Sequence, residues 1–221
     1  MDERSLVTAW PSLKSINLEG CNAVGNQTSQ ASAHPWAGAA NLRRLELGPM
    51  TSWSGFSSYI TDHLPSSLTV LVIHDDDLYS SATITNRLAA SLAPLPAGIR
   101  SLVLLDDQTR GTGARWAARG ALDSVIASGS GMRELKISPC AVSDLSTSLA
   151  PLANLTELTL VQGRTGPGTR LGSAEVAAFI DGPSAVEKVS VSANIVNKWN
   201  GMGQRDVCEA ARTRSVRFEV I

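Results

Sequence analysis

The feature that most constrains the fold is a hydrophobic triplet, L-x-x-L-x-L, that occurs eight times along the 221 residues, the eighth time in degraded form. Successive triplets start 23 to 33 residues apart. They begin at Leu13, Leu42, Leu68, Ile99, Met132, Leu155, Val186 and Ser215. The last two apolar residues of each triplet are two positions apart, so they point to the same face of a short strand. Repetition at this period predicts a solenoid of parallel strands.

Several segments between the triplets have the periodicity of helices, with apolar residues three or four positions apart. These segments are 56–64, 84–92, 114–127, 142–152, a segment that opens at Ser173, and 203–212. One strand alone cannot bury its apolar face, and the connecting segments must cover it. The sequence therefore predicts an α/β solenoid with a parallel concave β-sheet and with helices and loops on the convex side.

Two strings carry a resemblance to a known family: WPSLKSINLEGC at Trp10–Cys21 and GMRELKISPC at Gly131–Cys140. They resemble the long, cysteine-containing leucine-rich repeats of F-box substrate arms and of ribonuclease-inhibitor-like proteins. The resemblance implies one horseshoe or arc over 1–221, with about seven to eight irregular repeats. It also implies a protein partner on the inner strand face and no catalytic machinery. No segment reads as an F-box.

The two ends of the repeat pattern lack capping signals. The first triplet follows without a polar cap, and the chain stops at Phe218–Ile221 within a predicted strand. Solenoids normally protect such open edges with capping units. We therefore expect a fragment of a longer array or a gene product missing exons. Ends that a partner covers are the third option.

Composition narrows the partners that we expect. Lys and Arg number 19 against 20 Asp and Glu, a net charge of −1. No basic stripe with interleaved aromatic residues is evident, so we expect no nucleic-acid binding. No run approaches the roughly 20 apolar residues that cross a bilayer, so we expect no membrane contact. Three cysteines in different repeats favour a reducing compartment, and we expect a cytoplasmic or nuclear protein.

The predicted concave face has an unusual middle. Strands three and four place aliphatic residues where neighbouring strands place charges, which predicts an exposed apolar patch with a charged border. The predicted partner-binding residues are Arg44, Glu46, Val70, Val72, His74, Val103, Leu105, Glu134 and Lys136. Two alternatives stay open, because β-branched residues suit strands in any case and a segment from a missing domain could cover the patch.

An acidic rim follows the same two strands. It consists of Asp75, Asp76, Asp77, Asp106 and Asp107, with His74 beside them. The rim is a solvated surface, a recognition site for a basic partner segment, or a site for a hard cation such as calcium. The spacing lacks the rhythm of an EF-hand loop.

Catalytic and cofactor motifs are missing from the sequence. The three histidines fall in different repeats, no Cys pair has metal-ligand spacing, and the glycine-rich segment 163–170 lacks the Lys of a phosphate loop. We therefore predict no enzyme, no cofactor and no metal. The predicted function is a protein-interaction module, the substrate-recognition arm of an F-box-type ubiquitin ligase subunit. The alternative is a free-standing inhibitor or scaffold.

Overall fold

A computed structural model describes residues 12–17, 39–47, 64–75, 92, 94–106, 120, 122–139, 142–161 and 171–221. These residues form eight strands in one parallel sheet. The strands are β1 (Ser15–Asn17), β2 (Arg44–Leu47), β3 (Val70–Asp75), β4 (Ser101–Asp106), β5 (Glu134–Ile137), β6 (Glu157–Leu160), β7 (Lys188–Val191) and β8 (Arg217–Val220). Their order in the sheet is their order in the chain, as a solenoid requires.

The apolar triplets build the core, as predicted. Each strand pairs with the next so that equivalent triplet positions lie side by side: Leu45 pairs with Leu71, and Leu71 with Leu102. Leu45, Leu71 and Leu102 have no exposed surface. The first residue of a triplet also turns inward, as Leu42 and Ile99 show. One continuous core therefore runs along one face of the sheet.

Backbone hydrogen bonds lock each strand to its neighbour at the point where the strand begins. The carbonyl of Lys14 accepts the amides of Arg43 and Arg44 at 2.8 and 3.1 Å. The carbonyl of Arg43 accepts the amides of Thr69 and Val70, both at 2.9 Å. The same double acceptance recurs in the next strands of the sheet. From β1 to β7, the residue immediately before each strand is therefore fixed beside its equivalent in the next repeat.

Helices pack against the core face of the sheet. They are α1 (Asp123–Ala127), α2 (Leu145–Leu149), α3 (Ser173–Asp181), α4 (Ala193–Val196) and α5 (Gly201–Arg214). The predictions at 142–152, at Ser173 and at 203–212 are confirmed, and the sequence pattern did not predict α4. Of 114–127 the structure describes a helix from Asp123 onward. The predicted helices at 56–64 and 84–92 lie outside the described residues, apart from Leu64 and Leu92.

The last helix is held against α3 by a glycine contact. A Cβ atom added at Gly203 would overlap the Ser173 hydroxyl, so only a glycine allows this approach. The Trp199 indole nitrogen also donates to the Leu171 carbonyl at 2.9 Å. Ser215 ends α5 in the left-handed conformation, with φ of 56°, and turns the chain into β8. These contacts place β8 beside β7.

Candidate protein-interaction surface

The face of the sheet opposite the helices carries two rows of side chains, and we call it the outer face. The parallel register sets both rows. The first row is Ser15, Arg44, Val70, Ser101, Glu134, Glu157, Lys188 and Arg217. The second row is Asn17, Glu46, Val72, Val103, Lys136, Thr159, Ser190 and Glu219. Unlike the core face, this face changes its chemistry from strand to strand.

The apolar middle of the outer face lies on β3 and β4. Val72 pairs with Val103, and Val70 pairs with Ser101. Val70 and Val103 are half-buried, so part of each side chain is accessible to a partner. Val72, however, is only 4% exposed, so the prediction that it forms part of the exposed patch is wrong. Val72 lies between Glu46 and Val103, which stand about 4.8 Å away on the two neighbouring strands.

Charged residues flank this apolar middle on both sides, as the triplet spacing predicts. On β2, the Arg44 guanidinium lies 2.9 Å from the Glu46 carboxylate. On β5, Glu134 pairs with Ser101 and Lys136 pairs with Val103. These four residues therefore border Val70 and Val103 in the sheet. Whether they bind a partner stays a prediction.

Two like charges lie beside each other next to this border. Glu134 on β5 pairs with Glu157 on β6, so the two residues are one strand spacing apart. Neither carboxylate forms an ion pair with another residue in the part of the chain that the structure describes. Like charges directly opposite each other disfavour the sheet, and a cation from a partner would relieve their repulsion.

The structure places the acidic rim only through its backbone. His74 pairs with Leu105, and Asp75 pairs with Asp106, so the two strands end together. Asp76, Asp77 and Asp107 lie outside the described residues. Among the residues that are described, no group of three or more His, Cys, Asp or Glu side chains is arranged to hold a metal ion.

The sequence analysis missed an ion-pair network on β7 and β8. The Glu219 carboxylate lies 3.1 Å from the Lys188 ammonium and 2.8 Å from Nε of Arg217. The Ser190 hydroxyl donates to the same carboxylate at 3.5 Å. The hydrogen bond from Lys188, together with the charges of Lys188 and Arg217, lowers the pKa of Glu219. The alternation R-F-E-V at 217–220 was the available signal, since it places Glu219 two residues after Arg217 on one face.

Eight parallel strands in chain order, one apolar triplet per strand, and helices on the core face define an α/β solenoid of the leucine-rich repeat type. No protein-family model and no curated protein matches the sequence. Among solved structures, the chain is similar to the leucine-rich repeat-containing protein LegL7 from Legionella pneumophila, with 18% identity and a TM-score of 0.42. The match covers 82% of this chain and 66% of that chain, so this chain spans just under two thirds of that protein's length.

Within the described ranges, none of the helices combines the length and the apolar character needed to cross a bilayer.

Proposed function

We propose that this chain is a protein-interaction module that binds a partner protein on the outer face, across β2 to β5. The observation that carries the proposal is the pair of half-buried valines, Val70 and Val103, which form an apolar centre with the buried Val72 on a face whose other strands carry polar or charged residues. Protein interfaces combine an apolar centre with a polar rim, and this face has that arrangement. The valines would supply buried area, and the charged border would set the orientation of the partner.

The charged border favours a partner with a basic residue opposite β5 and β6. Arg44 and Glu46 already pair with each other on β2, so this side presents a compensated surface. On the other side, Glu134 and Glu157 lie together without an ion pair among the described residues. A Lys or Arg of the partner would therefore be stabilised most strongly at the β5–β6 side.

The acidic rim extends this proposal to the end of the strands. Asp75 and Asp106 are register partners, which supports a concentration of carboxylates at this edge. A basic segment of the same partner would suit this field. Calcium is the alternative ligand, and a calcium titration monitored by thermal unfolding separates the two. A rise in Tm with calcium would favour the cation.

The finer role has two candidates. The first is the substrate arm of an F-box-type ubiquitin ligase subunit, which an F-box encoded directly upstream in the gene would support. The second is a free-standing inhibitor or scaffold, which an open reading frame starting at Met1 would support. Both fit a cytoplasmic or nuclear protein, and the exposed free thiol of Cys208 is stable in such a reducing compartment.

The experiment uses the two half-exposed valines and leaves Val72 intact. Val70→Asp with Val103→Asp places two charges in the proposed contact. Ala127→Asp with Ala178→Asp adds the same charge at exposed helix positions. The unmodified chain and both variants serve as baits, with quantitative mass spectrometry of captured proteins. We expect a specific partner that the outer-face variant loses and the helix variant keeps. Equal capture by both variants would contradict the proposal, and circular dichroism checks that each is folded.

A further inference from the structure

The residues immediately before the first strands of the sheet form a second charged feature, which the outer-face proposal does not use. Lys14, Arg43, Arg100 and Arg133 precede β1, β2, β4 and β5, and we call them the basic row. Thr69 holds the equivalent position before β3. The four cations are exposed. The apolar pattern does not predict this row, because its residues occupy the second, non-apolar position of the triplets.

The backbone fixes the spacing of this row. The backbone carbonyl of each residue in this row, Thr69 included, accepts two amides from the next repeat. One of the two amides belongs to the next residue of the row: Arg43 donates to Lys14, Thr69 to Arg43, Arg100 to Thr69, and Arg133 to Arg100. Four strand spacings separate Lys14 from Arg133, which gives about 19 Å. An extended peptide rises about 3.3 Å per residue, so a segment of about six residues matches the row.

Two of the guanidinium groups are held in place by the next repeat. Arg43 donates to the Ser67 carbonyl at 3.0 Å, and Arg100 donates to the Gly131 carbonyl at 2.7 Å. A Cβ atom at Gly131 would overlap the Arg100 guanidinium, so the glycine leaves room for this bond. Holding these side chains before a ligand arrives reduces the entropy lost on binding.

None of the four cations has a counter-charge among the described residues. Arg43 and Arg100 contact backbone carbonyls, which carry no net charge. Lys14 and Arg133 form no hydrogen bond or ion pair through their side chains in the part of the chain that the structure describes. A row of uncompensated cations at fixed spacing attracts an anionic ligand and repels itself without one.

The surroundings of the row favour a short acidic peptide over a nucleic acid. Beyond Arg133 the equivalent positions change to Thr156 and Glu187, and Glu157 begins the next strand, β6. A longer polyanion would meet these carboxylates. The row itself holds no aromatic residue on which bases could stack. The overall charge of −1 also gives no general attraction for polyanions.

We propose that the basic row binds an acidic segment of a protein partner, about six residues long, along the edge where β1 to β5 begin. The proposal is independent of the outer-face function, because it uses other residues at another edge of the sheet. It also explains why four repeats place a cation at one triplet position without a counter-charge among the residues that the structure describes.

The test uses a fluorescein-labelled hexaglutamate peptide and fluorescence anisotropy with the full chain. Lys14→Gln with Arg133→Gln removes two charges. Neither side chain forms a hydrogen bond or ion pair with another residue in the described ranges. Arg205→Gln with Arg212→Gln removes the same charge from exposed positions of α5. We expect the Kd for the peptide to rise about fivefold in the first variant and to change little in the second.

A gain of binding completes the test, because misfolding cannot produce it. Thr69→Lys fills the gap in the row, whereas Thr156→Lys adds the same charge beside the glutamates. Both threonine hydroxyls donate to a carbonyl of the preceding repeat, at 3.0 and 3.1 Å, so both variants lose the same bond. We expect Thr69→Lys to tighten peptide binding more than Thr156→Lys does. Tighter binding of a dT6 oligonucleotide than of the peptide, equal losses in the two Gln variants, or no peptide binding at about 1 mM would overturn the proposal.

Discussion

The two faces of the same sheet follow different rules. On the core face, equivalent positions repeat one type of residue, as in the row Leu45, Leu71 and Leu102, and none of these residues is exposed. On the outer face, the neighbouring positions change from Arg44 to Val70 to Ser101 over three strands. Packing needs only shape and hydrophobicity, which every repeat can supply alike. The difference teaches that the repeated face specifies the fold, whereas the varying face, which we propose binds a partner, is not held to one type of residue by packing.

The largest effect is expected where the comparison is most direct, at two consecutive residues of β4. Leu102 has no exposed surface, and its neighbour Val103 is half-buried on the outer face. Leu102→Ala leaves a cavity and should lower the free energy of unfolding by about 3 kcal/mol. Val103→Ala should lower it by less than about 1 kcal/mol. Urea denaturation of both variants checks the difference, and equal losses would mean that the two faces are not distinct.

The next effect is expected at Val72, which belongs to the outer face but is 4% exposed. Val72→Asp buries a carboxyl group without a partner and should cost about 2 kcal/mol. Val70→Asp, at the half-exposed position two residues earlier, should cost clearly less. Thermal unfolding of the two variants side by side measures this. Similar Tm values would show that Val72 is as accessible as Val70.

A smaller effect tests how tightly the helix layer packs on the core face. Gly203→Ala brings a Cβ atom against Ser173 and should cost about 1 kcal/mol, despite the better helix propensity of alanine. Gly201→Ala, two residues earlier in α5, meets nothing within 4 Å and is the matched control. We expect the control to be neutral or slightly stabilising in chemical denaturation. A stabilising Gly203→Ala would refute the close packing of α3 and α5.

The smallest effect concerns the ion pairs on the outer face of β7 and β8. The pKa of Glu219 is lowered from its ordinary value of 4.5, so the ionised carboxylate stabilises the folded chain. This contribution is present above about pH 4.5 and is lost as the pH falls through the lowered pKa. Glu219→Gln lacks it at every pH. Melting curves between pH 7 and pH 3 should therefore converge for the two proteins, while a Tm difference that grows on acidification would contradict the assignment.

The fold was predictable because its signal is local and repeated. The triplet marks every strand of the described sheet, and even the degraded eighth copy, with Phe218 and Val220, lies in a strand. Helix α4 was not predictable in the same way, since four residues are too few for a periodic pattern.

The candidate site was predictable only in outline. The spacing placed Arg44, Glu46, Glu134 and Lys136 around the valines, because the register follows from the triplets. Val72 lies between β2 and β4, and its burial depends on neighbours that are distant in sequence, which no single segment encodes. The pair between Lys188 and Glu219 joins residues 31 positions apart and needs the β7–β8 register. The basic row can be predicted from the sequence, but only when the second, non-apolar position of the triplets is compared across repeats.

The identity of strand order and chain order has a further consequence for how the molecule fails. Within the described sheet, each strand is hydrogen-bonded to no strand other than its neighbours in sequence. A local loss of stability therefore affects the adjacent repeats first, as in a one-dimensional chain of coupled units. A cavity in β4 should weaken β3 and β5 first and leave α5 and β8 protected from hydrogen exchange. The molecule can thus lose one stretch of its surface while another stretch still holds its shape.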